Sequence, residues 1–472
     1  MEPKRVRYQS ILDLVPPPWP AELWDEISHK VQSDQRTMVI LDDDPTGTQT
    51  THGLYVLTDW SVRTLNAELK TRPKAFFILT NSRSMTEDQA RSINLEIGRN
   101  LSAARRLAGR DFVLASRSDS TLRGHFPAET EALCEATGER VDATLVVPFF
   151  WEGGRFTFEH IHYVRDGEWL IPAGETEFAR DVVFGYRESD LRKWVREKYR
   201  RALPRRFISS LSLSEIRSGG PDVVLHRLME LYDNQVCVID ALDYHDLEVI
   251  VAGLLDAEAS GKRFIYRTAA SFIRVRAGVA PRSPLTPHEL MAPSGPGGLY
   301  LVGSYVNRTT QQLNELLQEK RLAAFLLPVE AALGDCEAWR ECERIADKAS
   351  DLLAKGSDVV IYTSRELLTS YQGLAPLEIG GKISAALVSI TRKLGVRPRY
   401  IVAKGGITSS DIATKALDVK RAMVMGQAIP GVPVWRLGEE SRFPGLDYVV
   451  FPGNVGGAHA LVEIYHLFSG GG

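Results

Sequence analysis

The chain has 472 residues, of which 44% are apolar and 25% are charged, and its formal net charge is −3. This length predicts two or three domains with ample hydrophobic core, and the composition is that of an ordinary globular protein. A charge so close to neutral argues against a nucleic-acid-binding footprint and against a patch for an anionic membrane surface.

The cysteines and the first residues indicate a cytoplasmic protein. None of the four cysteines forms a C-x-x-C pair, and four in so long a chain make no disulfide framework. We therefore expect buried thiols in a reducing compartment. We also expect no secretory signal and no membrane span, because the apolar runs are too short for either. The cysteines are Cys134, Cys237, Cys336 and Cys342.

Residues 1–35 are predicted to be an N-terminal extension that packs on the first domain. The run from Pro16 to Pro20 is stiff and cannot be helical. Trp24, Ile27 and Val31 then recur at helical spacing, which predicts a short amphipathic helix.

The first strand of the first domain is predicted at residues 38–41, and three aspartates follow it directly. Asp42, Asp43 and Asp44 precede a Pro-Thr-Gly-Thr turn. Like charges repel at such short range, so this cluster favours a site for a cation, a proton transfer or a hydroxylated ligand. The alternative is an aspartate-lined helix N-terminus, which would explain one aspartate more easily than three.

Further strands are predicted at residues 53–57, 75–79, 112–115 and 144–147, with a long helix at 87–107. Strands that alternate with helices predict a parallel, doubly wound sheet, in which the carboxyl ends of the strands lie along one edge. Polar side chains follow these ends in succession. Arginine suits carboxylates and phosphates, so two arginines beside one strand end predict an anionic ligand, although any single one could be surface charge.

The rest of the first domain gives weaker signals. The aromatic stretch 149–163 predicts a hairpin around the Gly-Gly pair at 153–154, and 191–203 predicts a basic helix. A strand is predicted at 236–239. Proline and glycine then punctuate residues 285–298, which are the best candidate for a linker.

The second domain combines predicted strands with glycine-containing turns. Such turns allow close backbone approach and present N–H groups at helix starts, which suits phosphates. None has the Walker A or G-x-G-x-x-G sequence, so tight structural turns are the alternative for each. Because the turns are several and catalytic side chains are few, we expect this domain to bind a nucleotide. The turns begin at Gly303, Gly405 and Gly453.

One hypothesis for the function uses only the first domain. Asp42-x-Asp44-x-Thr46 matches the DxDxT motif of haloacid-dehalogenase-type phosphohydrolases. Asp42 would then be the nucleophile and Asp44 the general acid–base, with Asp240 and Asp243 as a pair that binds Mg²⁺. This hypothesis leaves the arginines and the second domain without a role.

The other hypothesis uses both domains. The first would hold an anionic polyol, an aspartate would orient and deprotonate its hydroxyl, and the second would supply a nucleoside triphosphate. Phosphoryl transfer needs mostly positioning and charge neutralisation, which this layout provides. A non-catalytic module that binds a sugar acid and a nucleotide is a third possibility.

Six short motifs, all in the same order, resemble the four-carbon acid sugar kinase family, and they span residues 43–456. The motifs are D-D-x-T-G (43–47), a T-x-S-R-like strand end (80–83), D-S-T-L-R-G (119–124), G-S (303–304), G-G-x-T (405–408) and G-N-x-G (453–456).

The resemblance implies an ATP-dependent kinase for a four-carbon sugar acid such as threonate, erythronate or an oxo-tetronate, with Mg²⁺ brought by ATP. It implies an α/β fold of two domains, each a mostly parallel sheet flanked by helices, with the active site in the cleft between them. The sugar-acid-binding domain would cover residues 36–285, the linker 286–298 and the nucleotide-binding domain 299–472.

The resemblance also assigns residues by position. Asp43 and Asp44 would be the polyol and base residues, and Asp43 is favoured as the base. No metal ligand from the protein itself is predicted. The acid would be held by Thr46, Asn81, Ser82, Arg83, Arg117, Asp119, Ser120, Arg123 and Arg155. The nucleotide site would be lined by Ser304, Gly405, Gly406, Ile407, Thr408, Gly453 and Asn454.

The chain departs from the family at Pro45, in the aromatic surroundings of Arg155, and in the apparent additions at 1–35 and 165–205. These departures leave the identity of the acid open. The expected partner is a small-molecule sugar acid, with neither nucleic acid nor membrane, and the resemblance leaves a homodimer open.

Overall fold

The computed structural model describes residues 5–290, 295–304, 306–333, 336–364 and 376–469. Residues 1–4 of the predicted extension and 291–294 of the predicted linker lie outside the described residues. The chain divides into two units. Unit 1 comprises Met1–Asp43 and Asp59–Pro281, and unit 2 comprises Asp44–Thr58 and Arg282–Gly472.

The strands, in chain order, are β1 (Val6–Arg7), β2 (Arg36–Asp42), β3 (Tyr55–Leu57), β4 (Ala75–Leu79), β5 (Asp111–Arg117), β6 (Ala143–Val147), β7 (Arg155–Phe158), β8 (Ile161–Asp166), β9 (Trp169–Pro172), β10 (Ile208–Leu211), β11 (Gln235–Ile239), β12 (Phe264–Thr268), β13 (Leu299–Val302), β14 (Leu322–Leu327), β15 (Asp358–Thr363), β16 (Tyr400–Lys404), β17 (Arg421–Ile429), β18 (Val432–Leu437) and β19 (Asp447–Phe451).

The helices are α1 (Tyr8–Leu12), α2 (Trp24–Ser33), α3 (Val62–Lys70), α4 (Glu87–Ala108), α5 (Ala128–Thr137), α6 (Leu191–Tyr199), α7 (Leu213–Met229), α8 (Tyr244–Ala259), α9 (Ala270–Arg276), α10 (Asn307–Leu316), α11 (Val329–Leu333), α12 (Cys336–Ala354), α13 (Pro376–Lys393), α14 (Gly406–Asp411) and α15 (Ala460–Ser469). Among the described residues, none of them combines the length and the apolar character that crossing a bilayer requires.

The main sheet of unit 1 has the strand order β10-β11-β6-β12-β5-β2-β4. Every neighbouring pair in this series is parallel. Its central strands are buried along almost their whole length, as expected for a sheet with helices on both faces. The prediction of a parallel, doubly wound sheet is confirmed.

The register of this sheet aligns the carboxyl ends of five strands. Thr268 pairs with both Val147 and Arg117, Arg117 pairs with Asp42, and Asp42 pairs with Leu79. Because side chains of adjacent parallel strands stand side by side, residues at and just beyond this row share one edge. The polar segments that follow β2, β4, β5 and β12 are therefore brought together.

Unit 1 also contains a small antiparallel sheet of order β1-β9-β8-β7. The predicted hairpin is present as β7–β8, but it turns at Glu159 and His160, both with positive φ, rather than at the Gly-Gly pair. That pair instead closes a tight turn in which Phe150 and Arg155 exchange two backbone hydrogen bonds. Thr157 of β7 then forms an antiparallel bridge with Ala241, which follows β11.

The N-terminal segment contacts unit 1 through its helix and its proline run. Ile27 and Val31 of α2 are buried. Arg217 Nη1 donates to the carbonyl of Pro16 at 3.1 Å, and His245 Nε2 lies 2.6 Å from the carbonyl oxygen of Trp19.

Unit 2 has a mixed sheet. Its strands β19-β16-β13-β15-β14 are parallel neighbours, whereas β3, β17, β18 and β19 pair antiparallel in that order. Half-buried and buried residues alternate along β17, which is typical of an antiparallel strand with one partly solvated face.

Two segments lie elsewhere than the sequence predicted. The strand expected at 53–57 within the first domain belongs to unit 2, because β3 pairs with β17 and Gly53 N–H donates to the carbonyl of Val424 at 2.8 Å. The start of the expected linker is also part of unit 2, since Leu285 and Leu290 are buried in its core.

The thiols follow the prediction only in part. Cys237 and Cys342 are buried and free, whereas Cys134 is half-buried. The side chain of Cys336 lies outside the described residues.

A buried carboxylate ties the opposite end of the unit 1 sheet to its helices. Glu258 of α8 is 6% exposed, and its Oε2 accepts from Arg276 Nη2 at 2.6 Å and from Arg36 Nη2 at 2.8 Å. A buried ion pair becomes costly when one partner is removed, because the other charge then stays in a low-dielectric site.

We expect Arg276→Met to lower the free energy of unfolding by about 3–5 kcal/mol, because Glu258 loses its closest cation. The measurement is urea unfolding followed by circular dichroism. Arg91→Met is the control, since the Arg91–Glu135 pair is exposed on both sides and its loss should change little. Equal effects of the two substitutions would contradict a stabilising role of the buried pair.

Candidate functional site

Asp43 lies at the centre of the polar cluster at the carboxyl edge of the unit 1 sheet. Its Oδ1 and Oδ2 accept from Arg83 Nη2 at 2.5 Å and Arg83 Nε at 3.1 Å, and Oδ2 also accepts from Ser118 Oγ at 2.8 Å. Arg117 Nη1 lies 3.5 Å from Oδ1. Although burial acts to raise the pKa of Asp43, Arg83 and Arg117 hold that pKa below its ordinary value. Asp43 is therefore a fixed carboxylate at neutral pH.

Asp42, the last residue of β2, is buried within the sheet. Its side chain is 1% exposed, and Oδ1 lies 3.1 Å from Arg117 Nη1. Arg117, predicted to hold the acid, therefore contacts both Asp42 and Asp43 in the structure.

Asp119 is a second carboxylate of the cluster, and it shares Arg83 with Asp43. Its Oδ2 accepts from Arg123 Nε at 2.8 Å, and its Oδ1 lies 3.7 Å from Arg83 Nη1. Burial opposes ionisation, yet Arg123 and Arg83 hold the pKa of Asp119 well below its ordinary value. Arg83 thus bridges the two carboxylates.

Arg123 and Arg155 lie against one aromatic ring. The guanidinium carbons of Arg123 and Arg155 are 5.2 and 5.4 Å from the ring centroid of Phe178, within cation–π range. Asp181 Oδ2 lies 3.4 Å from Arg123 Nη1. The region 165–205, predicted to be an addition to the family pattern, therefore supplies Phe178 and Asp181 to the arginine cluster.

Ser82 connects the cluster to a carboxyl group that sequence reasoning missed. Ser82 Oγ donates to Glu129 Oε1 at 2.5 Å, and His125 Nε2 lies 3.1 Å from the carbonyl oxygen of Ser82. Burial and the neighbouring charge of Asp43 raise the pKa of Glu129. Glu129 stands in the first turn of α5, where an acidic residue usually signals only a helix start.

The other predicted acid ligands have local contacts. Asn81 adopts a left-handed conformation with φ 54°, and its Nδ2 donates to Ser84 Oγ at 3.1 Å. The carbonyl of Ser120 lies 2.7 Å from His162 Nε2. Thr46 belongs to unit 2, where its backbone N–H donates to Asp44 Oδ1 at 2.9 Å.

Asp240 and Asp243, which the phosphohydrolase hypothesis assigns to Mg²⁺, make other contacts in the structure. Asp240 accepts from the backbone N–H groups of His160 and Leu213. Asp243 caps α8 and accepts from Arg217 Nη2 at 2.9 Å. The part of the chain that the structure describes has no group of three His, Cys, Asp or Glu residues that could hold a metal ion.

In unit 2 the three glycine-containing turns meet. Gly405 N–H donates to the carbonyl of Phe451 at 2.8 Å, and Thr309 Oγ1 lies 3.2 Å from Ser304 Oγ and 2.9 Å from the carbonyl of Gly453. A Cβ on Gly453 would approach Ser304 Oγ to 3.0 Å. A side chain at Gly453 would therefore crowd the Ser304 hydroxyl where the turns meet.

Asp44 lies beside the G-G-x-T turn. A Cβ on Gly406 would come within 2.3 Å of Asp44 Oδ2, so any larger residue there would displace this carboxylate. Lys404, which the sequence did not single out, is fully buried below this turn and donates to the carbonyl of Pro452 at 2.6 Å. It anchors the G-N-x-G segment to β16.

Two further residues of the predicted nucleotide site reach solvent, since Ile407 is 45% exposed and Asn454 is exposed. Thr408, by contrast, is buried, and its Oγ1 occupies the space that a Cβ on Gly303 would need.

Two family models match the chain. One, described as a sugar-binding N-terminal domain, matches residues 38–276, and the other, described as a nucleotide-binding C-terminal domain, matches residues 299–461. The chain is 28% identical over 371 residues to a 3-oxo-tetronate kinase of Pseudomonas fluorescens, covering 76% of this chain and 79% of that protein. It is 26% identical over 375 residues to a D-threonate kinase of Cupriavidus necator, covering 78% and 80%.

Two solved structures are similar in fold. One is a protein of Salmonella typhimurium described as a putative tRNA synthase, with a TM-score of 0.66, 17% identity, and coverage of 90% of this chain and 98% of that one. The other is the Haemophilus influenzae protein HI1011, with a TM-score of 0.59, 18% identity, and coverage of 91% and 100%. These likenesses agree with the predicted two-domain α/β fold.

Two buried carboxyl groups of unit 1 should respond to pH in opposite directions. The pKa of Asp119 is lowered on folding, so its ionisation stabilises the folded state above its unfolded pKa, and this contribution is lost as pH falls. We expect Asp119→Asn to cost about 1–3 kcal/mol at about pH 7 and less at about pH 3.

The pKa of Glu129 is raised, so folding favours its neutral form and wild-type stability falls as pH rises above the unfolded value. Glu129→Gln should therefore be at least as stable as wild type at about pH 8, with an advantage that shrinks toward about pH 4. Urea unfolding across this range measures both effects. Destabilisation by Glu129→Gln that grows with pH would contradict the assignment.

Proposed function

Because the chain belongs to the four-carbon acid sugar kinase family, we propose that it transfers the γ-phosphoryl group of ATP to a hydroxyl of a four-carbon sugar acid such as threonate, erythronate or an oxo-tetronate. Unit 1 binds the acid and unit 2 binds the nucleotide. The named relatives support the reaction class.

The observation that carries the proposal is the excess of buried arginine at the carboxyl edge of the unit 1 sheet. Burying a cation without a counter-ion is costly, so this excess favours an anionic ligand. The guanidinium fork also matches a carboxylate in shape. The cluster contains the arginines Arg83, Arg117, Arg123, Arg155 and Arg267 and the carboxyl groups of Asp42, Asp43, Asp119 and Asp181.

In this proposal Asp43 orients the reacting hydroxyl and accepts its proton. The lowered pKa of Asp43 keeps it ionised throughout the neutral range. A strong base is unnecessary, since the transition state of phosphoryl transfer is loose and the hydroxyl loses its proton late. The hydrogen bonds from Arg83 and Ser118 fix the carboxylate, so that it is positioned before the acid arrives.

In unit 2 the phosphates would lie against the turns at Ser304, Gly405 and Gly453. Glycines at positions where a Cβ would collide keep the backbone N–H groups close together, which is the chemistry of a phosphate cradle. Mg²⁺ would enter with ATP and neutralise phosphate charge. Asp44, which lies beside Gly406, would face that end of the nucleotide.

The test of the proposed function is ADP release from ATP and Mg²⁺ with a panel of four-carbon acids. We expect acid-dependent release, and Asp43→Asn should lower kcat by about 10²–10⁴-fold because the proton acceptor is lost. Asp42→Asn should have a smaller effect, since Asp42 contacts Arg117 within the sheet. Hydrolysis of a phosphoester without nucleotide, abolished more completely by Asp42→Asn, would instead support the phosphohydrolase.

Gly406→Ala should raise the KM for ATP by at least about 10-fold, because the added methyl displaces Asp44 and the adjoining turn. The KM for the acid should stay unchanged. Gly381→Ala in α13 is the matched control, since a Cβ there meets nothing within 4 Å. Unchanged ATP kinetics in Gly406→Ala would place the nucleotide elsewhere.

A further inference from the structure

Arg267 stands out among the buried arginines of unit 1. It is the penultimate residue of β12, is 4% exposed, and pairs in register with Ser116 of β5. Its Nη2 donates to the carbonyl of Arg123 at 3.0 Å, but its buried Nε has no hydrogen-bond partner among the described residues. No described carboxylate lies within 4.0 Å of its guanidinium group.

Three other deeply buried arginines of this unit each contact a carboxylate. Arg217 contacts Asp246 at 2.7 Å, Arg276 contacts Glu258 at 2.6 Å, and Arg117 contacts Asp42 at 3.1 Å. Since an isolated buried charge is expensive, an arginine that keeps its charge without such a partner favours a counter-ion from outside the chain. Asp43 is the carboxylate that acts most strongly on Arg267, but it already contacts Arg83 and Arg117. Glu129 comes next, and burial raises its pKa and favours its neutral form.

The surroundings of Gly124 show that Arg267 lies close to the proposed base. A Cβ on Gly124 would lie 3.4 Å from Arg267 Nη2, 3.3 Å from Asp43 Oδ2 and 2.9 Å from Ser118 Oγ. One side-chain-free position of the D-S-T-L-R-G segment is thus faced by a cation, by the proposed base and by a hydroxyl. Arg267 and Asp43 are thus close enough for one small molecule to contact both groups.

We infer that Arg267 binds the carboxylate of the sugar acid and so selects acids over neutral polyols at the site served by Asp43. This inference rests on the proposed function. The rival role for Arg267 is that of a third counter-ion for Asp43, beside Arg83 and Arg117. If Arg267 binds the carboxylate of the acid, its substitution should change the KM for the acid. If Arg267 is a counter-ion for the base, its substitution should change kcat for every acceptor.

The test compares wild type with Arg267→Lys and Arg267→Gln, and with Arg276→Lys as a control that alters an equally buried but paired arginine. Each is assayed for ADP release with D-threonate and with threitol, the polyol without the carboxylate. Binding of D-threonate, L-threonate, D-erythronate and L-erythronate is measured by calorimetry without ATP. Circular dichroism checks that each variant folds. Lysine keeps the positive charge of Arg267 and glutamine removes it, so if one variant does not fold, the other still tests the inference.

Arg267→Lys should raise the KM for the acid about 10- to 100-fold, the equivalent of one lost charged hydrogen bond, while kcat and the KM for ATP stay within about 3-fold. Arg267→Gln should lose more kcat/KM with D-threonate than with threitol, because threitol has no carboxylate for residue 267 to contact. Arg276→Lys should alter none of these values. Equal losses of kcat with both acceptors, or unchanged acid binding in both Arg267 variants, would overturn the inference.

The same data separate this inference from the proposed function. If wild type binds an acid without acid-dependent ADP release, the kinase proposal fails, and weaker acid binding by Arg267→Lys still supports the Arg267 assignment. If wild type turns over the acids and the Arg267 variants bind them equally well, the assignment fails and the kinase proposal stands. If wild type neither binds nor turns over any acid, both are overturned.

Discussion

The ion pair between Asp43 and Arg83 is the interaction on which the rest of the candidate site depends. A carboxylate that is 3% exposed must be compensated, and Arg83 does so through two hydrogen bonds while also facing Asp119. This is possible because the parallel register ends β2, β4 and β5 at one level of the sheet. The segments that follow these strands therefore share their counter-ions, as Asp43 and Asp119 share Arg83.

The boundary between the two units lies directly after Asp43. The chain leaves unit 1 at Asp43 and enters unit 2 at Asp44, so adjacent aspartates have different surroundings. Asp43 is fixed by arginines, whereas Asp44 lies beside Gly406 of the G-G-x-T turn. We propose that one serves the acceptor and the other faces the nucleotide. A division of labour across one peptide bond explains why this segment carries more than one carboxylate.

Much of this architecture could be predicted from the sequence because local patterns encode it. Apolar runs predicted β2, β4 and β5, and the clustering of Arg83, Asp119 and Arg123 followed from strand ends sharing an edge. Pairing between strands that are far apart in the sequence leaves no local pattern. The strand β3 was therefore predicted within the first domain, whereas it pairs with β17 of unit 2. Arg267 and Phe178 were missed for a related reason: one lies inside a strand and the other in a loop, and only the fold brings them to the arginine cluster.

The central claim is phosphoryl transfer from ATP to a sugar acid, and ³¹P NMR of the complete reaction tests it most directly. With ATP, Mg²⁺ and a four-carbon acid, the account predicts a new phosphomonoester resonance that couples to the protons of the acid and grows in step with ADP. Omitting the acid should leave ATP intact. Growth of inorganic phosphate in place of the phosphomonoester, with or without the acid, would contradict the account.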